Sequence, residues 1–146
     1  MKTIFDKPTR EEIINRVSAL NENSTAQWGK MTVYQMLKHG IKWEDMLLNK
    51  TQYKQVFMGR IFGKIALKNM LKDEPAKRNL PTVPEFNIKG SGDIEAAKKE
   101  WIDLLTEHND REPAGFMHPF FGKLSADEAG RMAYKHTDHH LRQFNV

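Results

Sequence analysis

Apolar residues recur every three or four positions along most of this chain, and nowhere do they alternate over the length of a strand. A chain patterned in this way buries its apolar stripes by packing helix against helix, so the fold class it predicts is all-α. In residues 32–48, Val33, Met36, Leu37, Gly40, Trp43 and Leu47 fall on one helical face. In residues 52–72, Phe57, Ile61, Ile65 and Leu71 share a side, with Arg60, Lys64, Lys68 and Lys72 repeating every four residues beside them. Ile94, Ala97, Trp101, Leu104 and Leu105 mark a further helix from Asp93, as its cap, to about residue 109. Residues 83–88 have some strand character, but Pro81 and Pro84 argue against a strand there.

Local signals set the ends of these helices. Thr9 with Glu12, and Ser125 with Glu128, both have the spacing of a capping box. The first predicts a helix over residues 10–22, with Ile13, Ile14, Val17 and Leu20 inward; the second predicts a last helix through Phe144. Between residues 73 and 92, Pro75, Pro81, Pro84, Gly90 and Gly92 make a long connection. A connection of that length lets the chain cross over instead of turning back as a tight hairpin, so the bundle need not run up-down-up-down. With 146 residues the whole chain, 1–146, is expected to be one domain around one core.

Composition then removes whole classes of chemistry. Without cysteine, disulfides and thiolate zinc sites are excluded, and any metal must be held by His, Asp or Glu. No apolar run reaches the length of about 18 residues that a membrane-spanning helix needs. The amino-terminal segment lacks the apolar stretch of a signal peptide, and a cytoplasmic address is expected.

The six histidines carry the chemistry that remains. His136 and His140 are four apart on the last predicted helix. That spacing sets them about 6 Å apart along the axis and about 40° apart around it, so two imidazoles can take one ion. Met132, Ala133 and Phe144 lie on the same face, which turns the pair towards the core, where two unpartnered imidazoles are costly unless something coordinates them. The bland alternatives are a chance spacing and favourable placement at a helix carboxyl end. For a third ligand, His39 borders the apolar face of its helix, where a lone histidine hydrogen-bonded to a neighbour is the ordinary finding. His108 lies where helix-end capping explains it, His118 sits in a loop that could close over a site, and His139 is rotated off the pair.

Two segments are familiar. Trp28-Gly29-Lys30-Met31-Thr32, with Gln35-Met36-Leu37-Lys38-His39, resembles the second helix of the DinB/YfiT-like superfamily. His118-Pro119-Phe120-Phe121-Gly122-Lys123-Leu124-Ser125, with Tyr134-Lys135-His136-Thr137-Asp138-His139-His140-Leu141-Arg142-Gln143-Phe144, resembles the end of the same proteins. The resemblance is to a branch known mainly as a domain of unknown function, and it is weak over residues 50–110. It implies a four-helix bundle running up-down-down-up, here with an extra helix in the long crossover. It also implies a divalent metal, zinc or nickel, on His39, His136 and His140. Some relatives are transferases and isomerases that use a low-molecular-weight thiol: bacillithiol, mycothiol or glutathione. The function it implies here is a metal-dependent, thiol-dependent transferase acting on a small electrophile. The alternative is a non-catalytic bundle that binds a metal or small ligand.

A third reading follows from charge. Residues 50–90 hold nine Lys or Arg against three Asp or Glu, a balance of +6 in a chain whose net charge is +4. Such a stretch can contact phosphates or lipid head groups, but the plain reading is a solvated helix face, since no nucleic-acid motif accompanies it. The Gly59-x-x-x-Gly63 spacing within it points to close packing instead of a membrane motif. The expected partner is a small-molecule substrate, with no specific nucleic acid and no membrane span, and a homodimer left open.

Overall fold

A computed structural model describes residues 2–80 and 82–146. It contains five α-helices: α1 Lys7–Ser18, α2 Val33–Leu47, α3 Phe57–Met70, α4 Ile94–Glu107 and α5 Ala126–Gln143. A two-stranded antiparallel hairpin, β1 Met117–His118 with β2 Gly122–Lys123, precedes α5 and was not expected from the sequence. These are all-α proportions.

The helix starts follow side-chain chemistry. Thr32 and Gln35 complete a capping box on α2, Ser125 and Glu128 complete one on α5, and the Asp93 side chain accepts the Ala96 N–H at α4. The first helix departs from its predicted start. It is capped by Asp6, with Pro8 in its first turn, so Thr9 lies inside the helix and is buried. Proline fits a first turn, where its missing N–H has no bond to make. The stretch around residues 83–88 holds a single 3-10 turn, Pro84–Phe86, in place of a strand.

Contacts between helices fix their directions. Ile4 N–H donates to the Gly130 carbonyl and Arg16 pairs with Asp138, so α1 and α5 run parallel. Lys38 meets Glu100 and Glu44 meets His108, so α2 and α4 run parallel. Arg10 reaches Asn109 while Lys98 reaches the Leu20 carbonyl, which makes α1 and α4 antiparallel. His39 meets His136, whereas Gln143 reaches Trp28 ahead of α2, so α2 and α5 are antiparallel. In chain order α1, α2, α4 and α5 run up-down-down-up, and the crossover carries α3.

The core lies between these four helices, with Ile13, Met36, Leu37, Trp101, Leu105 and Leu141 fully enclosed. At Gly40 the two parallel helices approach so closely that a Cβ would sit 2.4 Å from the Trp101 ring. The extra helix obeys a different rule. Gly59 and Gly63 put the α3 backbone against the hairpin loop, where a Cβ at either would lie 2.3 Å from the Phe120 carbonyl oxygen. The glycine spacing therefore marks close packing, as its context suggested. The face opposite those glycines, with Phe57, Ile61 and Ile65, is exposed. Among the described residues no helix is long and apolar enough to cross a membrane.

Candidate metal centre

His39 sits mid-α2 on the side turned to α5, and the Ser125 capping box sets the start of the helix that carries His136 and His140. Antiparallel packing brings the three together across about a hundred residues of sequence. One ring nitrogen from each lies within 4.8 Å of the other two. His39 Nε2 and His136 Nε2 are 2.9 Å apart. Ligand nitrogens on one tetrahedral zinc stand about 3.4 Å from each other, given bonds of about 2.1 Å, so modest ring rotations bring the trio onto one ion.

The outer nitrogens show which lone pairs are free. His39 Nδ1 lies 3.1 Å from the Phe86 carbonyl, which can only accept, so Nδ1 carries the proton and Nε2 is bare. His140 Nδ1 lies 2.9 Å from Gln143 Oε1. Gln143 cannot turn that amide over without loss, because its Nε2 donates to the Trp28 carbonyl at 2.7 Å. His140 is thereby fixed with its Nε2 bare as well. Such outer hydrogen bonds are what orient metal-ligating histidines. His136 differs: its Nδ1 is buried without a partner. Its ring is held by stacking on Trp43, centroids 4.1 Å apart and planes 18° apart.

The electrostatics agree with this assignment. Burial lowers the pKa of all three, and neighbouring imidazoles lower those of His136 and His140 further; His140 is pushed down to about 3. A hydrogen bond to Phe86 offsets part of the effect at His39. No carboxylate joins the cluster among the described residues. Three neutral imidazoles with one ring nitrogen each turned to a common point are a donor set that can hold a divalent cation. The residues present fit the group.

The other histidines divide. His118, on β1, is buried beside Trp43 and Phe121, with ring centroids 5.2 and 4.5 Å away. Its Nδ1 accepts the Phe120 and Phe121 N–H groups, so it shapes the hairpin loop behind the Trp43 wall. His139 is half-buried and meets the edge of Trp28. His108 does more than cap a helix: its Nε2 lies 2.9 Å from Glu44 Oε2 in a pair that is almost wholly enclosed. Sequence reasoning passed over Glu44, although a carboxylate on the apolar stripe of α2 was the signal. It also missed Gln143, three residues beyond His140, and the Phe86 carbonyl, which no side-chain pattern reveals.

A family model described as the DinB superfamily matches residues 7–144. No curated protein and no solved structure gives a significant match.

Proposed function

The chain belongs to the DinB superfamily, and on that premise we propose that it holds one divalent metal ion at His39, His136 and His140 and acts on a small electrophilic substrate with a low-molecular-weight thiol. The observation that carries this reading is the convergence of three ring nitrogens, two of them on rings whose opposite nitrogen is already committed. An all-imidazole set favours zinc or nickel, and three protein ligands leave room for a further one. The ion, when bound, lowers the pKa of a coordinated thiol or water and so supplies a nucleophile at neutral pH.

The rest is done by the chain's own residues. The Phe86 carbonyl and Gln143 hold two ligands in the correct tautomer, and the Trp43 face fixes the third. Trp43 and Phe86 wall the cluster with apolar surface, which strengthens any charge interaction made there. Because the chain has no cysteine, the thiol must come from a small cofactor of the bacillithiol, mycothiol or glutathione type.

The test is metal-loaded, untagged protein incubated with each of these thiols and a reactive halogenated acceptor. Thiol consumption should exceed the uncatalysed rate and fall with His136→Ala or His140→Ala. Equal rates for wild type and variants with all three thiols, without metal-dependent hydrolysis, would leave a non-catalytic metal-binding bundle.

A further inference from the structure

The outward face of α3 takes no part in the metal centre. Phe57 is 73% exposed, Ile65 65%, Met58 and Ile61 each 52%, and Phe62 48%. On a helix these five share one broad face, opposite Gly59, Gly63 and Leu67, which pack against the protein. An amphipathic helix in a water-soluble fold turns its apolar side to the core. Here the side that packs is the one with two glycines, and the large apolar side chains point away. A contiguous apolar face of this kind marks an interaction surface.

Charge identifies the occupant. Arg60, Lys64 and Lys68 form a row along one edge of that face. Between Asp45 and Asp73 the chain carries six Lys or Arg and no acidic residue. Among the described residues, none of Lys54, Arg60, Lys64 and Lys68 pairs with a carboxylate; Lys64 instead reaches the Lys123 carbonyl, which adds another exposed cation beside the row. Two copies joined antiparallel through this face would bring their Arg60–Lys64–Lys68 rows together, and α3 has no acidic residue to meet them. An anionic bilayer surface meets both features at once: acyl chains for the aromatic and aliphatic side chains, and head-group phosphates for the cations at their edge.

We propose that α3 is an interfacial anchor that docks this protein on anionic membrane surfaces, its apolar face embedded and its Arg60–Lys64–Lys68 edge on the head groups. The helix lies in the plane of the surface and does not span the bilayer. The metal centre belongs to the four-helix bundle, so docking leaves it with the bulk of the protein outside the membrane.

The experiment is co-sedimentation of the full-length, metal-loaded protein with vesicles of pure phosphatidylcholine and of phosphatidylcholine mixed with phosphatidylglycerol. Mixed vesicles should bind at least about tenfold more tightly, and added salt should weaken that binding. Ile61→Asp should reduce it about tenfold, and Lys64→Glu should remove most of the preference for the anionic vesicles. Both positions are exposed, so helical content and metal content should be unchanged, which separates this test from that of the metal centre. Light scattering of the lipid-free protein should give the mass of one chain. Absence of binding to mixed vesicles, equal binding to both compositions, or a dimer that Ile61→Asp dissociates would overturn the proposal.

Discussion

His39 and Glu44 lie little more than one turn apart on α2, both buried, and each meets a histidine from another helix. Towards α4, Glu44 Oε2 meets His108 Nε2, and its other oxygen, Oε1, is buried without a partner. Towards α5, His39 finds His136 and His140, and no carboxylate accompanies them among the described residues. The first cluster holds one carboxylate and one imidazole. The second turns one ring nitrogen from each of three imidazoles towards a common point. Buried polarity on an apolar stripe therefore has two meanings, and the number of converging donors tells them apart: one carboxylate and one imidazole make a pair, while three neutral imidazoles aimed at one point suit a cation.

The sharpest way to break this contrast is at Glu44. Glu44→Ala leaves His108 enclosed without its partner and should cost about 1–3 kcal/mol, the usual penalty for leaving a buried polar group unpaired. Denaturant unfolding measures it. Metal uptake by the fraction still folded should be unchanged, because the two clusters share no side chain. Loss of uptake in folded Glu44→Ala protein would merge the two sites into one.

The second effect is on pH dependence. Burial holds His39, His118, His136 and His140 below their ordinary pKa in the folded, metal-free protein, His118 and His140 at about 3. Below the ordinary value of about 6.5 the unfolded chain then binds more protons than the native one. Stability is therefore full above that pH and falls as pH drops through it towards the native values. Each such histidine contributes a slope of up to about 1.4 kcal/mol per pH unit. Melting curves of metal-free protein between pH 7 and pH 5 should show the loss, and His140→Gln should make it shallower. A slope untouched by that substitution would place the titrating groups elsewhere.

The smallest effect belongs to the outer hydrogen bonds. Gln143→Ala removes the partner of His140 Nδ1 and should weaken metal binding about tenfold; it also takes the donor from the Trp28 carbonyl, so the metal-free fold should lose about 1 kcal/mol. Calorimetric titration measures it. Unchanged affinity would mean that packing alone orients His140.

How much of this was legible in the sequence depended on how local the cause was. The caps at Asp93 and Ser125 act within four residues and were readable; the Thr32–Gln35 box is as local, but only the helix start near Thr32 was read there. Thr9 carried the same signature and failed, because Pro8 in the first turn and the chain path from Ile4 to Gly130 favour an earlier start. The His136–His140 spacing was visible on one helix, but adding His39 needed the family resemblance, since nothing local relates residues 39 and 136. The Phe86 carbonyl could not be found at all: it is backbone, delivered by a turn in the crossover. On α3 the pattern told which side is apolar but not which side faces the protein, and the glycines decided that against the usual rule.

If the reading of the two clusters holds, the α5-facing one, and not the α4-facing one, binds metal. Protein prepared without a histidine tag, stripped and then titrated with zinc or nickel, tests it by bound-metal analysis. One ion per chain is expected for wild type and for His108→Gln, with that ion lost in His39→Ala, His136→Ala and His140→Ala. Full metal retention in His136→Ala, or its loss in folded His108→Gln, would contradict it.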